Sequence, residues 1–256
     1  MPTIETARGV IWYADHRKKA AAVPPLVLVH GAGGSHLDWP GELRRLPEAG
    51  VIVPDLPGHG KSPGAARHSI NEYAADVVAL LDALKIQRAI IAGHSMGGAI
   101  ALTLALQHSA RVLGLILIGT GAKLGVHPDV LNVQADKDKA VEMIMDGYWG
   151  TAAEYDDYRR LSRDWLLTVD AEVLYRDYAA CNAFDVRSQL DQIQTPALII
   201  GATDDRMTPL KYSAYLHEQL PNSQLVTING ANHMLALQQP GAVAEAVKSW
   251  LAAQRW

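Results

Sequence analysis

The stretch RAIIAGHSMGGAIALTLAL, residues 88–106, is apolar at both ends and interrupted by Gly93-His94-Ser95-Met96-Gly97-Gly98. Ala89–Ala92 is a short apolar run of the kind that makes a strand buried on both faces. Met96–Gln107 is apolar nearly all round, as a helix packed against a sheet would be. A serine at the turn between the two is held in strained backbone, with its side chain clear of the sheet. Strand and helix approach closely at such a turn, which accounts for Gly93 and Gly97, while Gly98 helps the helix pack. The helix aims its N-terminal amides and dipole at the serine oxygen, so a negative oxygen formed there is stabilised. The pattern G-x-S-x-G therefore reads as the seat of a nucleophile. Alone it is weak: with Gly and Ser each at about 7%, a chain of this length meets it by chance about once in ten sequences. The legible strand and helix around it give it weight.

Working outward, further apolar runs predict strands at Leu26–His30, Val51–Asp55, Leu113–Ile118, Ala197–Gly201 and Leu225–Ile228. Helical periodicity falls between them. Asn71–Lys85 has apolar residues at three-and-four spacing with Ser69 or Asn71 as cap, and Pro209–Leu220 and Gly241–Ala253 follow later. Alternating strand and helix predict an α/β fold with a mostly parallel sheet covered on both faces. The alternation breaks between about Ala122 and Leu190, a segment holding Tyr148, Trp149, Tyr155, Tyr158, Trp165, Tyr175 and Tyr178. Its pieces read as helices, and no Pro/Gly/Ser linker flanks it, so it is expected to fold over the sheet as an insertion.

Bulk properties narrow the function classes. The 256 residues carry a net charge of −4, with 49% hydrophobic and 20% charged residues. That balance argues against nucleic acid, which needs Lys and Arg gathered in a patch. The most basic run, Arg17-Lys18-Lys19, reads as a solvated turn. Cys181 is the one cysteine, so no intrachain disulfide is expected, and its apolar setting makes it a poor nucleophile. No apolar run reaches membrane-spanning length and no signal-peptide core opens the chain, so a cytoplasmic location with no membrane partner is expected.

A serine nucleophile needs a base, and the base an orienting carboxylate. Of ten histidines, His233 lies just after the last strand, at the carboxyl end of the sheet where open α/β folds build their sites. His68 and His217 sit among polar or charged neighbours, His108 closes a helix, and His127 belongs to the insertion. Asp204 and Asp205 follow the preceding strand, and either could reach His233. For the oxyanion, the loop His30-Gly31-Ala32-Gly33-Gly34 follows a strand directly. The amides of Ala32 and of Met96 are the expected donors. No dinucleotide or P-loop glycine pattern and no metal-ligand spacing occurs, so no cofactor and no metal is expected.

With these residues in place the chain resembles the α/β-hydrolase superfamily over nearly its whole length. The stretches HGAGGSHLDW, VPDLPGHGKS, AGHSMGGAIAL, DDRMTP and GANHMLALQQP carry the resemblance. It implies an eight-stranded, mostly parallel sheet flanked by helices, with a helical cap inserted after the sixth strand. The core would span residues 1–122 and 188–256, the cap residues 123–187. It also implies Ser95 as nucleophile, His233 as base and Asp205 as acid, since Asp205 precedes Pro209 by four positions. Ala32 and Met96 would form the oxyanion hole, and His59 is structural in this reading. Serine at the elbow sets the chain apart from the dehalogenase and epoxide hydrolase branches, which carry Asp there. Ring-cleavage-product hydrolases, which cut carbon–carbon bonds, commonly show Asn where this chain has His94.

The leading expectation is a carboxylesterase-like serine hydrolase acting on a small-molecule ester of small to medium acyl length. It would work as a monomer or small homo-oligomer. Met143, Trp149 and Trp165 are expected to contact substrate. Carbon–carbon bond hydrolysis, lactonase and perhydrolase activity remain alternatives, as does a receptor or sensor role on the same fold.

Overall fold

The computed structural model describes residues 2–17 and 23–256, so Lys18 and Lys19 of the expected basic turn lie outside the described residues. Eight strands form one sheet in the order β1-β2-β4-β3-β5-β6-β7-β8. β1 (Thr3–Thr6) and β2 (Gly9–His16) pair antiparallel with each other, and β2 pairs antiparallel with β4 (Val51–Pro54). The rest is parallel: β3 (Leu26–Val29), β5 (Ala89–His94), β6 (Val112–Ile118), β7 (Ala197–Ala202) and β8 (Ser223–Ile228).

Alternate residues of the central strands serve opposite faces, as a strand's twofold period requires. Val27, Val29, Ile91, Leu115, Leu117 and Ile199 point to one buried cluster, with α2 (Ile70–Ala83), α3 (Met96–Gln107) and α8 (Leu210–Gln219). Leu26, Leu28, Ile90, Ile116, Ile118 and Leu198 point to the other, under α1 (Gly41–Arg44) and α10 (Pro240–Ala253). Each such side chain contributes about 1.5–3 kcal/mol through burial. Truncating Leu28, which is 1% exposed, to Ala would cost about 2–5 kcal/mol. Of the two cap candidates for α2, Ser69 serves: its side chain accepts from the Glu72 amide.

Between β6 and β7 the chain leaves the sheet and forms α4 (Pro128–Leu131), α5 (Lys137–Trp149), α6 (Asp156–Thr168) and α7 (Ala171–Ala183). The ends of this insertion close on one another: Val186 N donates to Ala122 O at 2.8 Å, and Lys123 bridges Asp185. The last short helix, α9 (Leu235–Gln238), follows β8. Among the described residues no helix is long and apolar enough to cross a membrane.

Candidate active site

Three loops at the carboxyl ends of the parallel strands bring the predicted residues together. Ser95 sits between β5 and α3 with φ 53° and ψ −117°, a conformation that costs a non-glycine residue on the order of 1–3 kcal/mol. The surroundings hold it there. Ser95 N donates to Ile118 O, and Ser95 O accepts from Gly98 N and from Thr120 Oγ1. Gly97 is obligatory for closeness, because a Cβ there would overlap the carbonyl of Val29 on the neighbouring strand.

His233 follows β8 and is 1% exposed. Its Nδ1 lies 2.9 Å from Asp205 Oδ2. Asp205, 4% exposed, accepts the amides of Met207 and Thr208 on Oδ1 and the Thr208 hydroxyl on Oδ2. Burial by itself would raise the Asp205 carboxyl. The adjacent His233 and the donors from Thr208 outweigh it and hold the carboxyl below the ordinary carboxylate value. Asp204 is exposed, its amide bonded to Ala231 O. Of the two carboxylates it is therefore Asp205 that meets His233. An ionised Asp205 fixes the proton of His233 on Nδ1 and turns Nε2 into an acceptor. That Nε2 is buried and has no hydrogen-bond partner among the described residues. Bonds between a nucleophile and its base are often long before substrate binds.

His94, used in the sequence only to tell subfamilies apart, has a positional task. Its Nε2 donates to the carbonyl of His233 at 2.9 Å, and its ring centroid lies 4.8 Å from that of His233. Burial, reinforced by the neighbouring His233, pushes the His94 imidazole down to about 3, so it stays neutral.

The expected oxyanion donors flank Ser95. Met96 is the first residue of α3, where an N–H has no acceptor within the helix. Ala32 lies in the loop after β3 and lines the same small cavity as Ser95. That cavity is about 40 Å³ and is walled by Leu124, Val126, Tyr148, Tyr178, Cys181 and Met207. Burial drives the Cys181 thiol upward, so it remains protonated and unreactive.

The expected substrate contacts divide. Trp149 is fully buried and stacks on Tyr158 at 5.3 Å, and neither it nor the half-buried Met143 lines the cavity beside Ser95. Both expectations are corrected: these residues pack the insertion. Trp165 lines an outer groove of about 380 Å³ with Leu37, Tyr158 and Leu161, and Tyr148 forms a wall common to groove and cavity. Sequence reading named Tyr148 and Tyr178 among the insertion's aromatics without singling them out, and it missed Met207. It also missed Asp177, whose signal was available: a carboxylate between Leu174 and Cys181 on the apolar face of α7. Of the remaining histidines, His68, His127 and His217 are exposed, while His30 is buried in the loop that carries Ala32. His59 is buried and pairs with Asp177 at 2.7 Å.

Comparison with known proteins agrees with this architecture. A model of the alpha/beta hydrolase family matches residues 26–246. A protein of Pseudomonas savastanoi pv. phaseolicola, provisionally named carbamate hydrolase RutD, is 30% identical, covering 95% of this chain and all of that one. The 2-hydroxymuconate semialdehyde hydrolase of Pseudomonas putida is 29% identical, over 89% of this chain and 87% of its own. Among solved structures, a thermophilic esterase superposes with a TM-score of 0.81 at 29% identity, covering 94% of this chain and 98% of that one. The enol-lactonase of Burkholderia xenovorans LB400 gives a TM-score of 0.90 over 98% and 100%; at 24% identity it speaks to fold alone. With the family's model matched across nearly the whole length and a serine at its strand–helix turn, the chain belongs to the alpha/beta hydrolase family and is a hydrolase of that type.

Proposed function

We propose that this chain is a serine hydrolase of carboxylic esters with small acyl groups. The observation that carries the reading is the state of His233: one ring nitrogen is fixed by a buried carboxylate while the other is buried and unpartnered, and its ring lies 5.6 Å from that of Tyr148, which lines the cavity holding Ser95. A histidine so arranged is a general base waiting for a proton. In the first half-reaction Ser95 Oγ bonds to the ester carbonyl carbon as its proton passes to His233 Nε2. The negative oxygen of the tetrahedral intermediate is received by the amides of Ala32 and Met96. The carbon–alkoxide bond then breaks, and the proton on Nε2 leaves with the alcohol. Water repeats the sequence on the acyl-enzyme, losing a proton to Nε2 and releasing the acid and Ser95. Asp205 holds the ring's tautomer and stabilises its cationic form throughout.

The cavity supports a small acyl group. About 40 Å³ corresponds to roughly three water-sized positions, the size of an acetyl group. The outer groove, floored by apolar side chains, suits the alcohol portion. A second reading is favoured by Tyr148 and Tyr178, two phenol-bearing residues that line the cavity beside Ser95. A phenol oxygen there can accept from the N–H of a carbamoyl group, a donor that a simple acyl group lacks. Carbamate hydrolysis by the same steps is therefore the alternative, in line with the name of one relative.

The test is a steady-state series on p-nitrophenyl esters from acetate to octanoate, with p-nitrophenyl carbamate alongside, for wild type and Ser95→Ala. Turnover that is fastest at acetate or propionate and vanishes in the variant is expected. A carbamate rate above every ester would move the assignment to the second reading. Absence of Ser95-dependent turnover across the series would overturn both.

A further inference from the structure

We propose that Asp177, acting with Trp165, is a positioning residue for the oxyanion site: the helical insertion holds the loop that carries the Ala32 amide. This rests on Ser95 working as a nucleophile with Ala32 and Met96 as donors.

The loop after β3 can be followed peptide by peptide. In the Gly31–Ala32 peptide, whose N–H is the donor, the carbonyl of Gly31 accepts from His30 Nδ1 at 2.8 Å and from Gly34 N at 3.2 Å. Those holds come from the core. The next peptide is held otherwise. The carbonyl of Ala32 accepts from the Tyr148 hydroxyl at 3.2 Å, and the amide of Gly33 donates to Asp177 Oδ2 at 2.8 Å. The Gly33 carbonyl then accepts from Trp165 Nε1 at 3.1 Å. Tyr148, Trp165 and Asp177 lie on α5, α6 and α7, three separate helices of the insertion.

Gly33 is enclosed sterically as well. Its φ is +65°, a region open to glycine, and a Cβ there would stand 2.6 Å from Leu174 Cδ2 and 2.9 Å from Leu166 Cδ2. The loop thus keeps an unusual conformation against side chains of the insertion. Without them, the peptide that follows the donor has no protein partner at either end.

Asp177 is itself immobilised by the core. It is completely buried and receives His59 Nε2 at 2.7 Å and the Tyr73 hydroxyl, besides the Gly33 amide. Three donors converge on it and no acceptor does, so a carboxylate suits the position and an amide would turn its NH₂ toward a donor. One side chain of the insertion therefore joins the loops after β3 and β4 and the helix α2. Seating the insertion and fixing the oxyanion loop become one event.

The experiment compares wild type, Asp177→Asn and Trp165→Phe on p-nitrophenyl acetate. It also measures affinity for a short-chain trifluoromethyl ketone, whose Ser95 adduct places an oxyanion in the site, and the rate of stoichiometric phosphonylation of Ser95. In Asp177→Asn, kcat should fall by about a hundredfold, the scale of a lost oxyanion donor, while KM moves less than about threefold. Trifluoromethyl ketone affinity should fall by the same factor as kcat. Trp165→Phe, which loses one hydrogen bond, should lose about threefold to tenfold in both. If Asp177→Asn fails to fold, Trp165→Phe decides.

A folded variant with kcat and ketone affinity within twofold of wild type would overturn the proposal. So would a loss confined to KM. If wild type hydrolyses no ester yet is phosphonylated at Ser95, the ester assignment falls and the phosphonylation rates alone judge the positioning role. Should wild type resist phosphonylation as well, both fall together.

Discussion

Two of the buried His–Asp pairs among the described residues look alike and differ where it counts. His233–Asp205 joins the loops after β7 and β8 at 2.9 Å; His59–Asp177 joins the loop after β4 to α7 of the insertion at 2.7 Å. In the first, the second ring nitrogen has no partner. In the second, His59 Nδ1 faces the carbonyl of Pro57 at 3.1 Å while Nε2 faces Asp177, so both nitrogens meet acceptors, an arrangement that favours a ring carrying two protons. Burial works against that charge. Asp177 prevails, and the His59 imidazole sits above its ordinary value. A histidine–carboxylate pair is thus a base only when its far nitrogen is left open; with both nitrogens engaged it is a cross-link.

The largest way to break the comparison is Asp205→Asn. An amide cannot hold the working tautomer, so kcat should fall by about 10⁴-fold with the fold intact, measured by steady-state kinetics beside circular dichroism. A loss under tenfold would remove Asp205 from the mechanism.

Next in size is stability. His59→Ala leaves the Asp177 carboxylate buried with its cationic partner gone, which costs about 3–5 kcal/mol in urea unfolding. His233→Ala should cost only about 1–2 kcal/mol, because Nε2 has no partner to lose and Asp205 keeps the Met207 and Thr208 donors. Equal costs would erase the distinction between cross-link and base.

The pairs also diverge with pH. His59 has a raised folded value, so its contribution is fully present below about pH 6.5 and is lost as pH climbs through that raised value. The gap in Tm between wild type and His59→Gln should therefore be widest near pH 6 and shrink toward pH 9. Asp205 has a lowered folded value; its contribution is present above about pH 3.8 and is lost as pH falls through the lower one. A His59→Gln gap that stays constant across this range would contradict the charged cross-link. The smallest effect belongs to Thr208→Val, which removes one donor from Asp205 and should slow kcat by only about threefold to tenfold.

These two pairs also mark what a single sequence discloses. Ser95, His233 and the Asp204–Asp205 pair were legible because each follows a strand whose apolar run is unmistakable, and the glycines at 93 and 97 announce the tight turn; the choice of Asp205 comes from the family resemblance, through its spacing to Pro209. The central strands were legible for the same reason. His59 reads as structural, but its pairing with Asp177 was not legible, since the two are 118 residues apart and only the packing of α7 brings them together. The insertion's pocket residues were hidden by helix geometry. Tyr148 and Trp149 are consecutive on α5 and so point about 100° apart. Tyr148 faces the cavity and Trp149 the packed interior, and composition cannot say which of two adjacent aromatics does which.

The most direct test of the account is to trap the acyl-enzyme. Rapid acid quench of the protein after mixing with p-nitrophenyl acetate, followed by peptide mass spectrometry, should find one acetyl group on Ser95. The adduct should accumulate more slowly in His233→Ala and be absent in Ser95→Ala. An acetyl group on any other residue, or turnover that persists in Ser95→Ala, would contradict a mechanism built on this serine.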